Sequence, residues 1–186
     1  MKKTKLVKSC ITLLLALTLL VSGMSFDWNV TNAKADDNTP YLLSKNRQTY
    51  ASSENGTGEP AIYATDGKMT TKWQAARGVS NQWITVDLGA SANISEVIIR
   101  WQGANDYASD LDVMVSDDEI NWTSLYRDRA NDGGESVKVP KAEDPTKTDY
   151  TYLCQDLTVS GKGRYVKIFG RKGASSYGIA IRELEI

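Results

Sequence analysis

Short stretches in which apolar and polar residues alternate recur along this sequence, and they restrict the chain to β structure. Ile84, Val86 and Leu88 alternate with polar neighbours, so their side chains would lie on one face of a strand. The same period of two recurs at residues 97–101, 111–115, 137–139, 165–169 and 179–186. No stretch has a convincing helical period, and the sequence therefore predicts an all-β protein.

Turn-forming residues lie between these predicted strands. They occur at residues 54–58, 66–67, 116–119, 131–134 and 161–163. Many short strands at a spacing of about 8–12 residues are typical of an antiparallel sandwich or barrel. The sequence contains no internal repeat and no low-complexity segment, so we predict a single all-β domain.

The first 35 residues have the features of a secretory signal peptide. Four lysines between residues 2 and 8 precede an apolar run at 11–21, and Ala33-Lys34-Ala35 has the small residues that a signal peptidase requires. The apolar run is shorter than the roughly 20 residues that span a bilayer, which argues against a membrane span. We therefore expect cleavage after Ala35, a short polar lead-in at 36–44 and a secreted, extracellular domain at 45–186.

The charge balance of the remaining residues limits the possible partners. The predicted leader contains five lysines and one aspartate, so its removal leaves 151 residues with 17 basic and 22 acidic side chains. An acidic domain without a dense basic patch repels nucleic acid, which we exclude as a partner. Cys154 stands in a strand-like stretch, where we expect it to be a small buried side chain.

The sequence lacks the residues on which several kinds of catalysis depend. It contains no histidine, which excludes Ser-His-Asp and Cys-His catalysis and the usual histidine zinc sites. It also contains no P-loop and no dinucleotide-binding fingerprint. A pair of acids for glycoside hydrolysis would leave no local signature, but 151 residues of β-sandwich leave little room for a deep cleft. We therefore expect a protein that is not an enzyme.

Four motifs follow one another in an order that is more specific than any one of them. In residues 61–73, Asp66-Gly67 makes a tight turn and Trp73 supplies an apolar anchor; the other motifs are residues 82–89, 111–122 and 183–185. This succession resembles the discoidin, or coagulation factor 5/8 type C, family, which includes the family 32 carbohydrate-binding modules. The resemblance covers about residues 41–186 and implies a galactose-binding-like jelly-roll β-sandwich of about eight antiparallel strands, whose two ends lie close together.

The resemblance also implies a structural calcium site. Hard cations prefer several oxygen ligands, which a turn of carbonyls beside a carboxylate can supply. The implied side-chain ligands are Asp66, Thr71 and Glu183, and the implied carbonyl ligands are those of Tyr63, Lys68, Thr71 and Arg182. Lys68 departs from the family, which often has Asp or Asn there, but a carbonyl ligand does not depend on the side chain. Without calcium, Asp66 would only cap its turn and Glu183 would be a solvated acid.

In modules of this kind, loops at one end of the sandwich hold the sugar, and an aromatic face stacks on the pyranose ring. The corresponding loops here are residues 53–59, 74–82, 101–109, 129–134 and 171–177. We select eight candidate ligand-binding residues in them: Glu54, Arg77, Trp101, Gln102, Asn105, Tyr107, Arg171 and Tyr177. We assign Trp73, Trp83 and Trp122 to packing, whereas Trp101 ends a strand and could face either way.

Several ligands stay open at this point. Galactose-binding members commonly use a histidine, which this chain lacks, whereas Glu54, Gln102 and the acidic balance fit a neutral β-glucan or a cationic amino-sugar polymer such as chitosan. A cell-surface glycan is a further possible ligand. The sequence therefore predicts a secreted, monomeric carbohydrate-binding module; the alternative is an adhesion module that binds protein or phospholipid. Apolar loop tips surrounded by basic residues, which the latter would need, are missing from the sequence.

Overall fold

The computed structural model describes residues 41–140 and 148–186, and these residues form an all-β structure. The predicted signal peptide and most of the predicted lead-in lie outside the described residues. The elements are β1 (Gln48–Ala51), a single-turn 3₁₀ helix (Ala61–Ala64), β2 (Trp73–Gln74), β3 (Gln82–Trp101), β4 (Ala108–Ser116), β5 (Thr123–Asp128), β6 (Glu135–Pro140), β7 (Thr148–Gly173) and β8 (Ala180–Glu185). Within the described ranges, no helix is long and apolar enough to cross a membrane.

The eight strands form one antiparallel sheet in the order β2-β8-β3-β7-β4-β5, with β1 added beside β3 and β6 added beside β7. The first half of β3 pairs with β1, whereas its second half pairs with β8. The pairing of β3 with β7 is interrupted between Asp87 and Ala92, and again between Ile94 and Glu96. Bulges bend strands, so the sheet folds over here into a sandwich of two layers. This is the predicted fold.

The interior of the sandwich is filled by the apolar residues that alternate along the strands. Ile84, Val86 and Leu88 are buried, as their spacing predicts, and they join one hydrophobic cluster with residues from both layers. Trp73 is also in this cluster, which confirms its assignment to packing. Cys154 is buried too, and the Arg100 guanidinium donates a hydrogen bond to its Sγ at 3.8 Å.

The segment before β1 and the residue after β8 are joined by hydrogen bonds. The Leu43 N–H donates to the Ile186 carbonyl at 2.6 Å, and the Ile186 N–H donates to Ser44 Oγ at 3.1 Å. The two ends therefore lie side by side, as the resemblance implied. These bonds also place residues 43 and 44 in the folded unit, which begins at Leu42.

One predicted turn is wrong. Residues 161–163 continue strand β7, because Gly161 and Gly163 pass close to the neighbouring strands without leaving the ladder. A Cβ on Gly163 would lie 3.0 Å from the Ser116 carbonyl oxygen. The glycines there permit close packing of two strands, which a local sequence pattern does not distinguish from a turn.

Candidate functional site

The Asp66 turn lies just after the 3₁₀ helix and holds several oxygen atoms in a fixed arrangement. Asp66 Oδ1 accepts a hydrogen bond from the Lys68 N–H at 2.8 Å, and Thr71 Oγ1 lies 2.8 Å from Asp66 Oδ2. The Lys68 carbonyl accepts from the Thr71 hydroxyl at 3.0 Å. Gly67 has a φ of 77°, in the left-handed region that glycine adopts without steric cost. The turn therefore presents two side chains and a carbonyl on a short span of chain.

Glu183 reaches the same turn from β8, at the other end of the sequence. Its carboxylate oxygens accept from the Gly67 N–H at 3.1 and 3.2 Å, and the residue is buried. Burial raises the pKa of Glu183 to about 8, and the nearby Asp66 charge also raises it. A buried carboxylate beside a second carboxylate is costly unless a cation lies between them.

The backbone of Arg182 is also placed to take part. Arg100 pairs with Glu183 and Trp101 pairs with Ile181, so Arg182 is the extra residue of a bulge and has no register partner in β3. An extra residue of this kind is left out of the ladder. Its side chain reaches the Asp66 turn itself, where the guanidinium donates to the Met69 carbonyl; the guanidinium also lies 4.4 Å from the Tyr150 ring centroid.

These donors fit a hard cation better than a transition metal. The described residues contain no cluster of three or more His, Cys, Asp and Glu side chains that could hold a metal. The set is instead two carboxylates, one hydroxyl and carbonyls, all of them oxygen. Calcium accepts such mixed sets. Tyr63, the remaining predicted ligand, lies in the 3₁₀ helix directly before the turn, and its N–H donates to the Pro60 carbonyl at 3.1 Å.

The five predicted ligand loops meet at one end of the sandwich, which we call the loop end. Hydrogen bonds connect them, from N–H groups to carbonyls: Asn55 to Gln74 (2.8 Å), Ala174 to Tyr107 (2.9 Å), Ala180 to Asp106 (2.8 Å), Asn131 to Ser109 (3.1 Å) and the Gln74 side chain to Tyr177 (2.8 Å). Because each loop is held by another, their exposed side chains keep a defined arrangement. The structure thus brings together segments that lie up to about 120 residues apart.

Tyr177 is the main exposed aromatic side chain of this loop end, with 53% of its surface accessible. Its carbonyl accepts from Gln74 Nε2, and its N–H donates to Ser175 Oγ at 3.1 Å, so its backbone is fixed on both sides. The Arg77 guanidinium lies 5.8 Å from its ring centroid. The arrangement offers an aromatic face with a planar cation beside it.

Acidic and basic groups lie in the adjoining loops. Lys72 forms an ion pair with Glu59 at 3.0 Å, and Asn55 Nδ2 donates to Glu59 Oε2 at 3.0 Å. Asp106 is half-buried, and this burial raises its pKa, against the opposing charges of Lys72 and Arg77. The eight selected residues do not include Glu59, Lys72 or Asp106. Glu59 and Asp106 lie in predicted loops, but Lys72 directly precedes a core tryptophan and carries no local signal.

Two of the eight selected residues do not contribute to the loop end. Trp101 is fully buried, and its Nε1–H donates to Gln155 Oε1 at 3.2 Å, so it cannot stack on a sugar. Its place in β3 has the same parity as the buried Val97 and Ile99, and this parity is the sequence signal for its burial. Arg171 lies on the outer face of the sheet, where it bonds to Asp112 Oδ2 at 3.1 Å.

The other selected residues lie in the loops but differ in exposure. Asn105 is exposed and its carbonyl accepts from Ser175 Oγ at 2.7 Å. Glu54 is exposed, and its Oε1 accepts from the Ala61 N–H at 2.7 Å. Tyr107 packs against the hydrophobic cluster, and Gln102 is half-buried with its Oε1 shielded from solvent. Of these four residues, Asn105 is the one that combines an exposed side chain with a backbone held by a neighbouring loop.

Comparison with known proteins gives a consistent result. The sequence pattern of the F5/8 type C domain matches residues 48–184. Chitosan-binding module 1 of a chitosanase/glucanase from Paenibacillus sp. IK-5 is 32% identical, with a TM-score of 0.64 over 78% of this chain and 98% of that one. Chitosan-binding module 2 of the same enzyme, solved in complex with chitotriose, is 28% identical, with a TM-score of 0.64 over 77% and 97% of the two chains.

A curated relative is much longer than this chain. The polysaccharide lyase 8 family protein HylA of Enterococcus faecalis is 28% identical over 134 residues, which is 68% of this chain and 9% of HylA. The chain thus spans less than a tenth of the length of that relative. Since the F5/8 type C pattern covers nearly all the described strands and the solved structures share their fold, this chain belongs to the F5/8 type C domain family.

Proposed function

We propose that this domain is a secreted, non-catalytic carbohydrate-binding module that attaches to an amino-sugar polymer through its loop end. The observation that carries the proposal is the exposed ring of Tyr177, held by backbone bonds on both sides and accompanied by carboxylates in the adjoining loops. Aromatic faces stack on the C–H surface of pyranose rings, and a few fixed polar groups select among sugars. The chitosan-binding modules that share the fold support this class of ligand.

The acidic groups favour a sugar that carries an amine. Asp106 is half-buried, and burial of an ionised carboxylate is unfavourable without a nearby cation. Lys72 and Arg77 already supply part of the compensation, and the ammonium group of glucosamine would add to it. Charge-assisted hydrogen bonds of this kind are about twice as strong as neutral ones. A neutral β-glucan would stack on Tyr177 but would leave the carboxylate without this partner.

The proposal is tested by calorimetric titration with three oligosaccharides of equal length: a chitosan oligomer, its fully N-acetylated counterpart and a β-glucan oligomer. We expect the chitosan oligomer to bind tightest. Tyr177→Ala should weaken binding roughly tenfold or more, because it removes the stacking surface, while Tyr177→Phe keeps it. Equal binding of Tyr177→Ala and the unaltered protein would refute the loop end as the site.

Calcium is part of the proposal as a structural cofactor. Asp66, Thr71 and Glu183 would supply side-chain oxygens, and the carbonyls of Lys68 and Arg182 lie on the segments beside them. The Tyr63 carbonyl would be a further ligand. When bound, the cation would offset the negative charge between the Asp66 turn and β8. The loop end lies on the same turn-and-strand framework, so the cation would stabilise the loops without touching the sugar.

The structure gives less support to a membrane-adhesion function. Among the described residues, Ile120 is the most exposed large apolar side chain, at 80%, and it lies in the β4–β5 connection. Asp117, Asp118 and Glu119 directly precede it, and all three are exposed. Anionic lipid attracts basic surfaces and would repel this connection.

A further inference from the structure

A row of aromatic side chains covers the outer face of the layer formed by β1, β3, β7, β4 and β5. Along β7, Val166 and Ile168 are buried, so the alternating Tyr165, Lys167 and Phe169 lie on the side away from the core. We call the following set the aromatic face: Tyr50, Trp83, Trp122, Tyr165 and Phe169. This face is separate from the loop end, because four of its residues lie on strands and Trp122 directly precedes β5.

The strand register brings these residues side by side. Trp83 on β3 pairs directly with Phe169 on β7, and Lys167 pairs with Thr85. Directly paired residues of antiparallel strands point to the same face. Tyr50 on β1 pairs with Thr85 from the other side and is 47% exposed.

A cation lies over most of these rings. The Lys167 ammonium is 3.6 Å from the Trp122 ring centroid and 5.0 Å from that of Trp83. The guanidinium of Arg164 lies 4.9 Å from the Tyr165 centroid, and that of Arg171 lies 4.7 Å from the Phe169 centroid. Contacts of this length are attractive. The sequence predicts a packing role for Trp83 and Trp122, but both are only half-buried and neither belongs to the hydrophobic cluster.

The cations of this face differ in whether a carboxylate neutralises them. Arg164 bonds to both Asp87 oxygens at 2.7 Å, and Arg171 bonds to Asp112 at 3.1 Å. Among the described residues, Lys167 has no ion pair within 4.0 Å. The exposed Glu119 acts on it only from a distance, and burial lowers the pKa of Lys167. No carboxylate of the described residues therefore pairs with the Lys167 ammonium, whose three hydrogen-bond donors could bind an anionic ligand at the centre of the face.

We propose that the aromatic face is a second glycan-binding surface, which takes an acidic polysaccharide. Its pyranose rings would lie against the parts of the Trp83 and Trp122 indoles that Lys167 does not cover, and a uronate carboxylate would accept hydrogen bonds from the Lys167 ammonium between them. The central positive charge selects an anionic ligand over the amine-bearing sugar proposed for the loop end. The rings are separated by ion pairs such as Arg164–Asp87, so the apolar area consists of ring-sized patches. Such patches suit sugar rings bordered by hydroxyls better than the continuous apolar centre of a protein interface.

The test is a titration of the protein with an oligogalacturonate, followed by NMR of the tryptophan indole N–H signals. We expect the signals of Trp83 and Trp122 to shift, and those of the buried Trp73 and Trp101 to stay in place. Lys167→Met keeps the apolar stem and removes the charge, so it should weaken binding roughly tenfold, as expected for loss of a charge-assisted hydrogen bond. The matched control is Lys162→Met, which changes an exposed lysine of the same strand away from the aromatic face.

Three outcomes would overturn the proposal. They are no shift of the Trp83 and Trp122 signals, equal affinity for Lys167→Met and Lys162→Met, and binding of an acidic peptide at this face without binding of the uronide. The last would make the face a protein interface. Tyr177→Ala should leave oligogalacturonate binding unchanged. The two proposals can therefore fail independently. The loop-end proposal is tested with a chitosan oligomer and Tyr177→Ala, whereas the aromatic face is tested with oligogalacturonate and Lys167→Met.

Discussion

Both carboxylate oxygens of Glu183 lie within 3.2 Å of the Gly67 backbone nitrogen, although the two residues are 116 positions apart. This contact joins the last strand of the sandwich to the Asp66 turn. It places one buried carboxylate next to another acidic side chain, at the point where the family resemblance implies calcium. The stability of the whole domain should therefore depend on what neutralises these two groups.

Removal of calcium should lower the melting temperature. A ligand at 100 times its Kd stabilises by about 2.7 kcal/mol, which corresponds to roughly 5–10 °C for a domain of this size. Differential scanning calorimetry in a chelator, and again after addition of calcium, measures the difference. Glu183→Gln should melt at the same temperature in both conditions. An equal melting temperature of the unaltered protein in both conditions would refute the structural calcium site.

The Asp87–Arg164 pair should contribute stability that is lost in acid. Hydrogen bonds from Arg164 hold the pKa of Asp87 below its ordinary value of 3.8. A carboxyl whose folded pKa is depressed stabilises the fold above its unfolded pKa, and this contribution is lost as the pH falls through the lower folded value. We therefore expect the unfolding free energy to decrease as the pH is lowered beneath about 3.8. The decrease should be smaller in Asp87→Asn, which lacks the carboxyl. Urea denaturation between pH 2 and 6 would show parallel curves if the pair contributes nothing.

Asp106→Asn should reduce the preference for amine-bearing sugars. The amide keeps the size and hydrogen-bonding capacity of the carboxylate but removes its charge, so binding of a chitosan oligomer should weaken roughly tenfold. Binding of the N-acetylated oligomer should change little. Calorimetry of both ligands with both proteins measures the ratio, and an unchanged ratio would exclude Asp106 as a specificity residue.

Trp101→Ala should destabilise the domain without acting directly on the sugar. Truncation of a fully buried tryptophan costs about 3–5 kcal/mol, and here it also removes the N–H that donates to Gln155 Oε1. Trp101→Phe should cost less. Chemical denaturation gives the free energy, and titration at low temperature gives the affinity. A Trp101→Ala variant that is as stable as the unaltered protein but no longer binds sugar would contradict this prediction and would indicate that Trp101 contacts the sugar.

Two glycines with similar backbone angles should respond differently to alanine. Gly134 has a φ of 83°, and a Cβ there would lie 2.3 Å from the Cys154 carbonyl oxygen. Gly56 has a φ of 77°, and a Cβ would meet nothing within 4 Å. Gly56→Ala should therefore cost about 1–2 kcal/mol from the left-handed conformation alone. Gly134→Ala should cost clearly more in the same denaturation experiment, and equal costs would show that the strand can move away.

Much of the fold could be predicted from the sequence, because the alternation of apolar and polar residues within one strand shows which side chains face the core. The period of two at Ile84, Val86 and Leu88 predicted their burial, and the same parity rule, applied to Val97 and Ile99, would have predicted that of Trp101. The succession of motifs was specific enough to indicate the family, and with it the candidate binding loops. The turn at Asp66-Gly67 also followed from residue type alone.

The pairing of strands could not be read from the sequence, and it decides which side chains become neighbours. Alternation assigns Lys167 to a face but does not say that Trp83 and Trp122 lie on either side of it. Likewise, nothing local to Glu183 indicates that Gly67 is its partner. Periodicity is a property of one strand, whereas register and strand order depend on the packing of the whole sheet. The sequence by itself therefore determined the strands, the family and the candidate loops, and only the tertiary structure decided which residues form each site.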